Sequence, residues 1–128
     1  MKNKILIVED EVALMMTLVD NFSKDDWDVY SAENGREGLE SALKNHPDII
    51  LLDIIMPLMD GMKMLDELRK DSWGKNARVI LLTNLSDEEK KRTSAKLNVE
   101  SFDYWVKCDM SIDDIVTKAK ERLRRKIN

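Results

Sequence analysis

Five side chains able to bind or transfer charge stand directly after short apolar runs. Glu9 and Asp10 follow Ile5-Leu6-Ile7-Val8, Asp53 follows Ile49-Ile50-Leu51-Leu52, Thr83 follows Val79-Ile80-Leu81-Leu82, and Lys107 follows the segment Phe102 to Val106. Carboxylates held close together repel one another and raise each other's pKa unless a cation lies among them. An all-oxygen, open set of this kind suits Mg2+, which takes one or two carboxylates and fills its shell with water and phosphate oxygens. The competing reading of any single acid is a helix cap, and Asp10 stands where it could cap a helix opening at Glu11-Val12. That reading can account for one acid. It does not account for acids, a hydroxyl and an amine arriving together at the ends of four runs.

The elements that must deliver these groups follow from hydrophobic periodicity. The three unbroken apolar runs read as strands buried on both faces, as in a parallel sheet covered by helices. Trp27 to Ser31 and Phe102 to Val106 carry polar interruptions and are expected nearer the sheet edges. Helical spacing joins Val12, Met15, Met16 and Val19, then Leu39, Ala42 and Leu43, then Met62, Leu65 and Leu68. Ser86-Asp87-Glu88-Glu89 has the capping-box form for a fourth helix. Ser111 with Asp113 and Asp114 opens a fifth, which closes on Arg122, Arg124, Arg125 and Lys126, so both ends complement the helix dipole. Alternating strands and helices predict an α/β fold: a doubly wound, flavodoxin-like (βα)5 sandwich with a parallel five-stranded sheet in the order 2-1-3-4-5. Right-handed crossovers then gather the strand ends on one edge, where ligands bind in such folds.

The 128 residues, 43% hydrophobic and 36% charged, suffice for one domain spanning 1–128 and exclude a disordered tail. The net charge of −4 argues against direct nucleic-acid binding. The single cysteine, Cys108, excludes a disulfide framework. Without a signal-peptide core or an apolar run near the roughly 20 residues that span a bilayer, a cytoplasmic protein with no membrane contact is expected.

Four stretches, ILIVED, HPDIILLDIIMPLMDG, VILLTN and DYWVK, closely resemble the receiver domain of bacterial two-component response regulators, particularly its single-domain, chemotaxis-regulator-like form. Their spacing agrees with that family from about Lys4 to Ile127. The resemblance implies that Asp53 accepts a phosphoryl group from a histidine kinase or histidine phosphotransfer protein. It implies Mg2+ as cofactor, held by Asp10, Asp53 and the backbone carbonyl of Ile55, with Glu9 acting through a water. Lys107 would bond a phosphoryl oxygen. Thr83 would donate its hydroxyl and draw in the loop that follows, and Tyr104 would repack inward as part of the switch. The signal would pass to an unidentified downstream protein through the surface around the fourth helix, fifth strand and fifth helix, or onward by phosphotransfer. No output domain is expected after Asn128.

Three departures qualify the resemblance. Cys108 stands where Pro usually follows the lysine; a non-proline cis bond costs roughly 3 kcal/mol, so a trans bond and a displaced Lys107 loop are expected. Asn84 replaces the usual Ala or Gly and either narrows the space for the phosphoryl group or bonds its oxygens. The connection from Asn98 to Asp103 is about two residues longer than usual, and Asn98 replaces a helix-ending glycine. Ile55 and Leu85 replace residues that are often polar in relatives and should keep attacking water away, predicting a phospho-form lasting minutes or longer.

Other readings lead elsewhere. A pseudo-receiver binding module that is not phosphorylated would suit Asn84 and Cys108, but the intact Glu9, Asp10, Asp53, Thr83 and Lys107 speak against it. A haloacid-dehalogenase-like phosphatase needs a second Asp at position 55, and a flavodoxin would not place acids after its first strand. The chain is thus expected to be a signalling switch rather than an enzyme. His46, before Pro47, reads as a polar helix end at the wrong end of its strand for the site. The methionines Met15, Met16, Met56, Met59, Met62 and Met64 read mostly as core. Trp27 and Trp73 are expected at edges, and Trp105 in the core opposite Tyr104.

Overall fold

The computed structural model describes residues 2–53, 61–83, 102–106 and 110–125, with the side chains of residues 83, 102–106, 124 and 125 outside that description. Strand β1 (Lys4–Val8) leads to helix α1 (Val12–Lys24), β2 (Asp28–Ala32) to α2 (Gly35–Asn45), and β3 (Ile49–Leu52) to α3 (Gly61–Arg69). A 3-10 turn (Gly74–Asn76) precedes β4 (Val79–Thr83), β5 spans Phe102–Val106, and the C-terminal helix, α4, spans Ile112–Arg125. Neighbouring strands run parallel in the order β2-β1-β3-β4-β5.

The unbroken apolar runs form the middle of this sheet because both of their faces are covered. Leu6, Val8, Ile50, Leu52, Val79 and Leu81 pack with α2 and α3. Ile5, Ile7, Ile49, Leu51, Ile80 and Leu82 pack with α1 and α4. Alternation along each strand thus feeds two separate cores, the arrangement that parallel sheets require.

Helix ends follow local chemistry. Asn34 caps α2 by accepting from Glu37 N at 2.9 Å, and the left-handed backbone of His46 (φ 46°, ψ 61°) closes that helix before Pro47. Ser111 Oγ accepts from Asp114 N at 3.1 Å while Asp114 Oδ2 accepts from Ser111 N at 3.3 Å, a reciprocal cap for α4.

Several expectations require correction. The second strand starts at Asp28, and Trp27 sits in the core, 4% exposed and edge-on to Phe22 with ring centroids 5.4 Å apart. The left-handed turn at Asp26 (φ 68°) carries the chain back over α1 and makes this possible. On α1 the buried residues are Met15, Leu18 and Phe22, whereas Val12 and Met16 are 63% and 66% exposed. Trp73, by contrast, keeps its expected place at an edge: it is half-buried against the α2–α3 core and stacks on the exposed ring of His46, with centroids 4.3 Å apart. The helix expected from Ser86, together with Met56, Met59 and Asn98, lies outside the described residues.

Candidate functional site

The register of β1 on β3 builds the site. Val8 pairs with Leu52, so the next residues of the two strands, Glu9 and Asp53, emerge side by side at the carboxyl edge. Two backbone bonds extend the pairing past the strand ends. Asp53 N donates to Val8 O at 3.0 Å, and Glu9 N donates to Ala32 O at 3.0 Å. Parallel strands tied in this way leave their side chains little freedom to separate.

Glu9, Asp10 and Asp53 each place a carboxylate oxygen within 4.8 Å of the other two. Glu9 and Asp53 are buried, at 2% and 7% exposure, while Asp10 is open to solvent. Glu11 N donates to Glu9 Oε2 at 3.2 Å, which orients that carboxylate at the entrance to α1. The N-cap of α1 is Glu11, without a side-chain cap bond, so Asp10 does not serve the capping role weighed against a site role. Two buried carboxylates and a third beside them form an electronegative pocket whose charge favours a cation. Hard oxygen donors around an open side are the donor set of Mg2+. Glu9, Asp10 and Asp53 are the residues that would hold such an ion, and it would supply neutralisation of their clustered charge.

The remaining candidates have less to show. Thr83 ends β4 on the same edge; Leu52 pairs with Leu81, which places Thr83 one register step beyond Asp53. In β5, Tyr104 pairs with Leu81, Trp105 with Leu82 and Val106 with Thr83, so Val106 ends the strand on the same edge. Ile55, Asn84, Leu85, Lys107 and Cys108 lie outside the described residues. The backbone donor of Glu11 escaped sequence reasoning, since nothing in a residue's type marks its N–H as a carboxylate partner.

A family profile described as the response regulator receiver domain matches residues 5–124. The chain belongs to that family. Among curated relatives, this receiver is 36% identical over 124 residues to a probable transcriptional regulator, ycf27, of Porphyridium aerugineum, covering 97% of this chain and 49% of that protein. It thus spans about half the length of that relative. The receiver domain of the Francisella response regulator 1452 superposes with a TM-score of 0.82 at 28% identity, covering 98% of this chain and 99% of that one. The chemotaxis protein CheY4 of Vibrio cholerae shares the fold, with a TM-score of 0.83 at 24% identity over 94% of this chain and 98% of that one. The flavodoxin-like α/β class with a parallel sheet is therefore this receiver's fold.

Proposed function

We propose that this receiver takes a phosphoryl group onto Asp53 from a histidine kinase or histidine phosphotransfer protein and signals by conformational change or onward phosphotransfer. The observation that carries this reading is the trio of carboxylates, with Asp53 and Glu9 buried and held by β1–β3 pairing. A carboxylate oxygen of Asp53 attacks phosphorus, the bond from phosphorus to the donor's imidazole nitrogen breaks, and the imidazole leaves with the electron pair. Asp10, Asp53 and the Ile55 carbonyl would hold Mg2+, with Glu9 acting through a water. Bound there, the ion supplies neutralisation of the carboxylates and of the phosphoryl oxygens. The protein's own part is positioning. The Asp53 N–H bond to Val8 O aims its carboxylate, and the Glu11 N–H holds Glu9 aside.

Lys107 and the Thr83 hydroxyl complete the reading as donors to phosphoryl oxygens, with Asn84 beside them and Tyr104 following the Thr83 loop as the switch. A helix within residues 84–101 would complete the (βα)5 sandwich, with 1–128 as one receiver unit. The partners are the phosphoryl donor and a downstream protein, with no direct nucleic-acid contact, in the cytoplasm. Consistent with this, no helix among the described residues is long and apolar enough to cross a membrane.

The test is intact-mass measurement after incubation with acetyl phosphate and Mg2+. The protein gains one phosphoryl group, and Asp53→Asn or removal of Mg2+ by chelation abolishes the gain. An unchanged mass in the unsubstituted protein, or equal labelling of Asp53→Asn, refutes the assignment.

A further inference from the structure

One glycine on α2 lies against the strand end that carries the site. A Cβ built on Gly38 would meet both γ-methyl groups of Val8 at 2.9 Å and Met64 Sδ at 3.0 Å. Real Cβ atoms do not approach that closely, so the bare Gly38 backbone is what lets α2 seat on β1 at this point. Met64 is a flexible chain end and can yield. Val8 cannot yield in the same way, because both of its methyl groups face Gly38 and any rotamer leaves one of them there.

Val8 is also the residue on which the carboxylates hang. Its side chain is buried in the α2–α3 core, its carbonyl accepts from Asp53 N at 3.0 Å, and the next residue is Glu9, whose N–H is tied to Ala32 O. Pressure on the Val8 methyls can be relieved by α2 lifting off the sheet or by a shift of the β1 end relative to β3, and the second of these changes the spacing of Glu9, Asp10 and Asp53. Mg2+ tolerates such a change poorly because it demands near-ideal octahedral geometry at 2.0–2.1 Å, whereas Ca2+ accepts longer and less regular contacts.

We infer that Gly38 is a positioning residue for the cation site, setting the carboxylate spacing through Val8 and with it the preference for Mg2+. The inference rests on the metal reading under Proposed function. The experiment measures Mg2+ and Ca2+ affinity by calorimetric titration, together with thermal midpoints, for the unsubstituted chain, Gly38→Ala, Val8→Ala and the pair Val8→Ala/Gly38→Ala. Gly38→Ala is expected to weaken Mg2+ binding about tenfold, as outer-shell changes at metal sites do, with a much smaller effect on Ca2+. The paired substitution, which removes the methyls that the new Cβ would strike, restores Mg2+ affinity to within about twofold of Val8→Ala. Unchanged Mg2+ affinity in Gly38→Ala overturns the inference. So does an equal loss for both ions that follows the thermal midpoint, or failure of the pair to recover. If the unsubstituted chain binds no Mg2+, the metal reading itself falls and takes this inference with it; Mg2+ binding that is indifferent to Gly38 defeats the inference alone.

Discussion

Asp53 and Asp10 occupy different environments although both belong to one acidic trio. Asp53 is buried and its backbone is locked to β1, whereas Asp10 faces solvent and can adjust. If the trio holds Mg2+ as proposed, Asp10→Asn should leave the fold intact while lowering Mg2+ affinity on the order of tenfold or more, since a neutral amide would replace a charged carboxylate. Titration followed by a thermal scan checks both halves of that statement. Under the proposed phosphoacceptor role, the lifetime of the phospho-form is decided at the same scale. Branched apolar side chains at Ile55 and Leu85 should exclude attacking water, so Ile55→Asn and Leu85→Glu are expected to shorten the life of phosphorylated Asp53. Loss of radiolabel from the isolated protein measures it. The acids were legible in the sequence because each interrupts an apolar run at its end; which of them would be buried was not, since burial depends on β2 and β3 lying on either side of β1.

Helices and turns here depend on a few polar contacts. Asn34→Ala removes the bond to Glu37 N at the start of α2 and should cost about 1 kcal/mol in denaturant unfolding. Gly74 is less tolerant, because an added Cβ would lie 2.2 Å from the Leu68 carbonyl oxygen. Gly74→Ala should cost about 1–3 kcal/mol or more, read from the same unfolding curves. The turn that contains it is clamped by Arg69, whose Nη1 donates to Gly74 O at 2.7 Å and Ala77 O at 2.8 Å; burial pushes the Arg69 pKa down, yet the guanidinium stays charged. On the exposed face of α3, the hydrogen bond and charge of Lys70 hold the Glu67 carboxyl below its usual range, and Glu67 raises Lys70 in return. A depressed carboxyl stabilises the fold above its unfolded pKa and loses that contribution as pH falls through the folded one. Lys70 is exposed and Glu67 is half-buried at the surface, so salt should screen the effect: an NMR titration of Glu67 is expected to move toward the ordinary carboxylate midpoint at high ionic strength.

At the scale of the whole molecule, one sheet separates two apolar cores, and the central strand β3 contributes to both. Ile50→Ala and Leu51→Ala, on opposite faces, should each cost about 2–5 kcal/mol in equilibrium unfolding, because neither layer can collapse onto a rigid sheet to fill the space. Strand identity was readable because a strand buried on both faces must be apolar at every position. Helix orientation was less so. Val12, Met15, Met16 and Val19 share a helical spacing, but the stripe centred on Met15, Leu18 and Phe22 turns inward and leaves Val12 and Met16 in solvent. Local periodicity leaves that phase open by about one residue, and contact with the sheet decides it. Trp27 and Trp73 show the same limit: one fills the core through the turn at Asp26, and the other meets His46 across 27 positions of chain. The sequence alone determined the strands, the alternation with helices, the polar groups at strand ends and the family they resemble, because these follow from residue type and order. The tertiary structure decided which carboxylates converge, which are buried and how closely α2 approaches β1 at Gly38, because those distances arise only when separate segments pack.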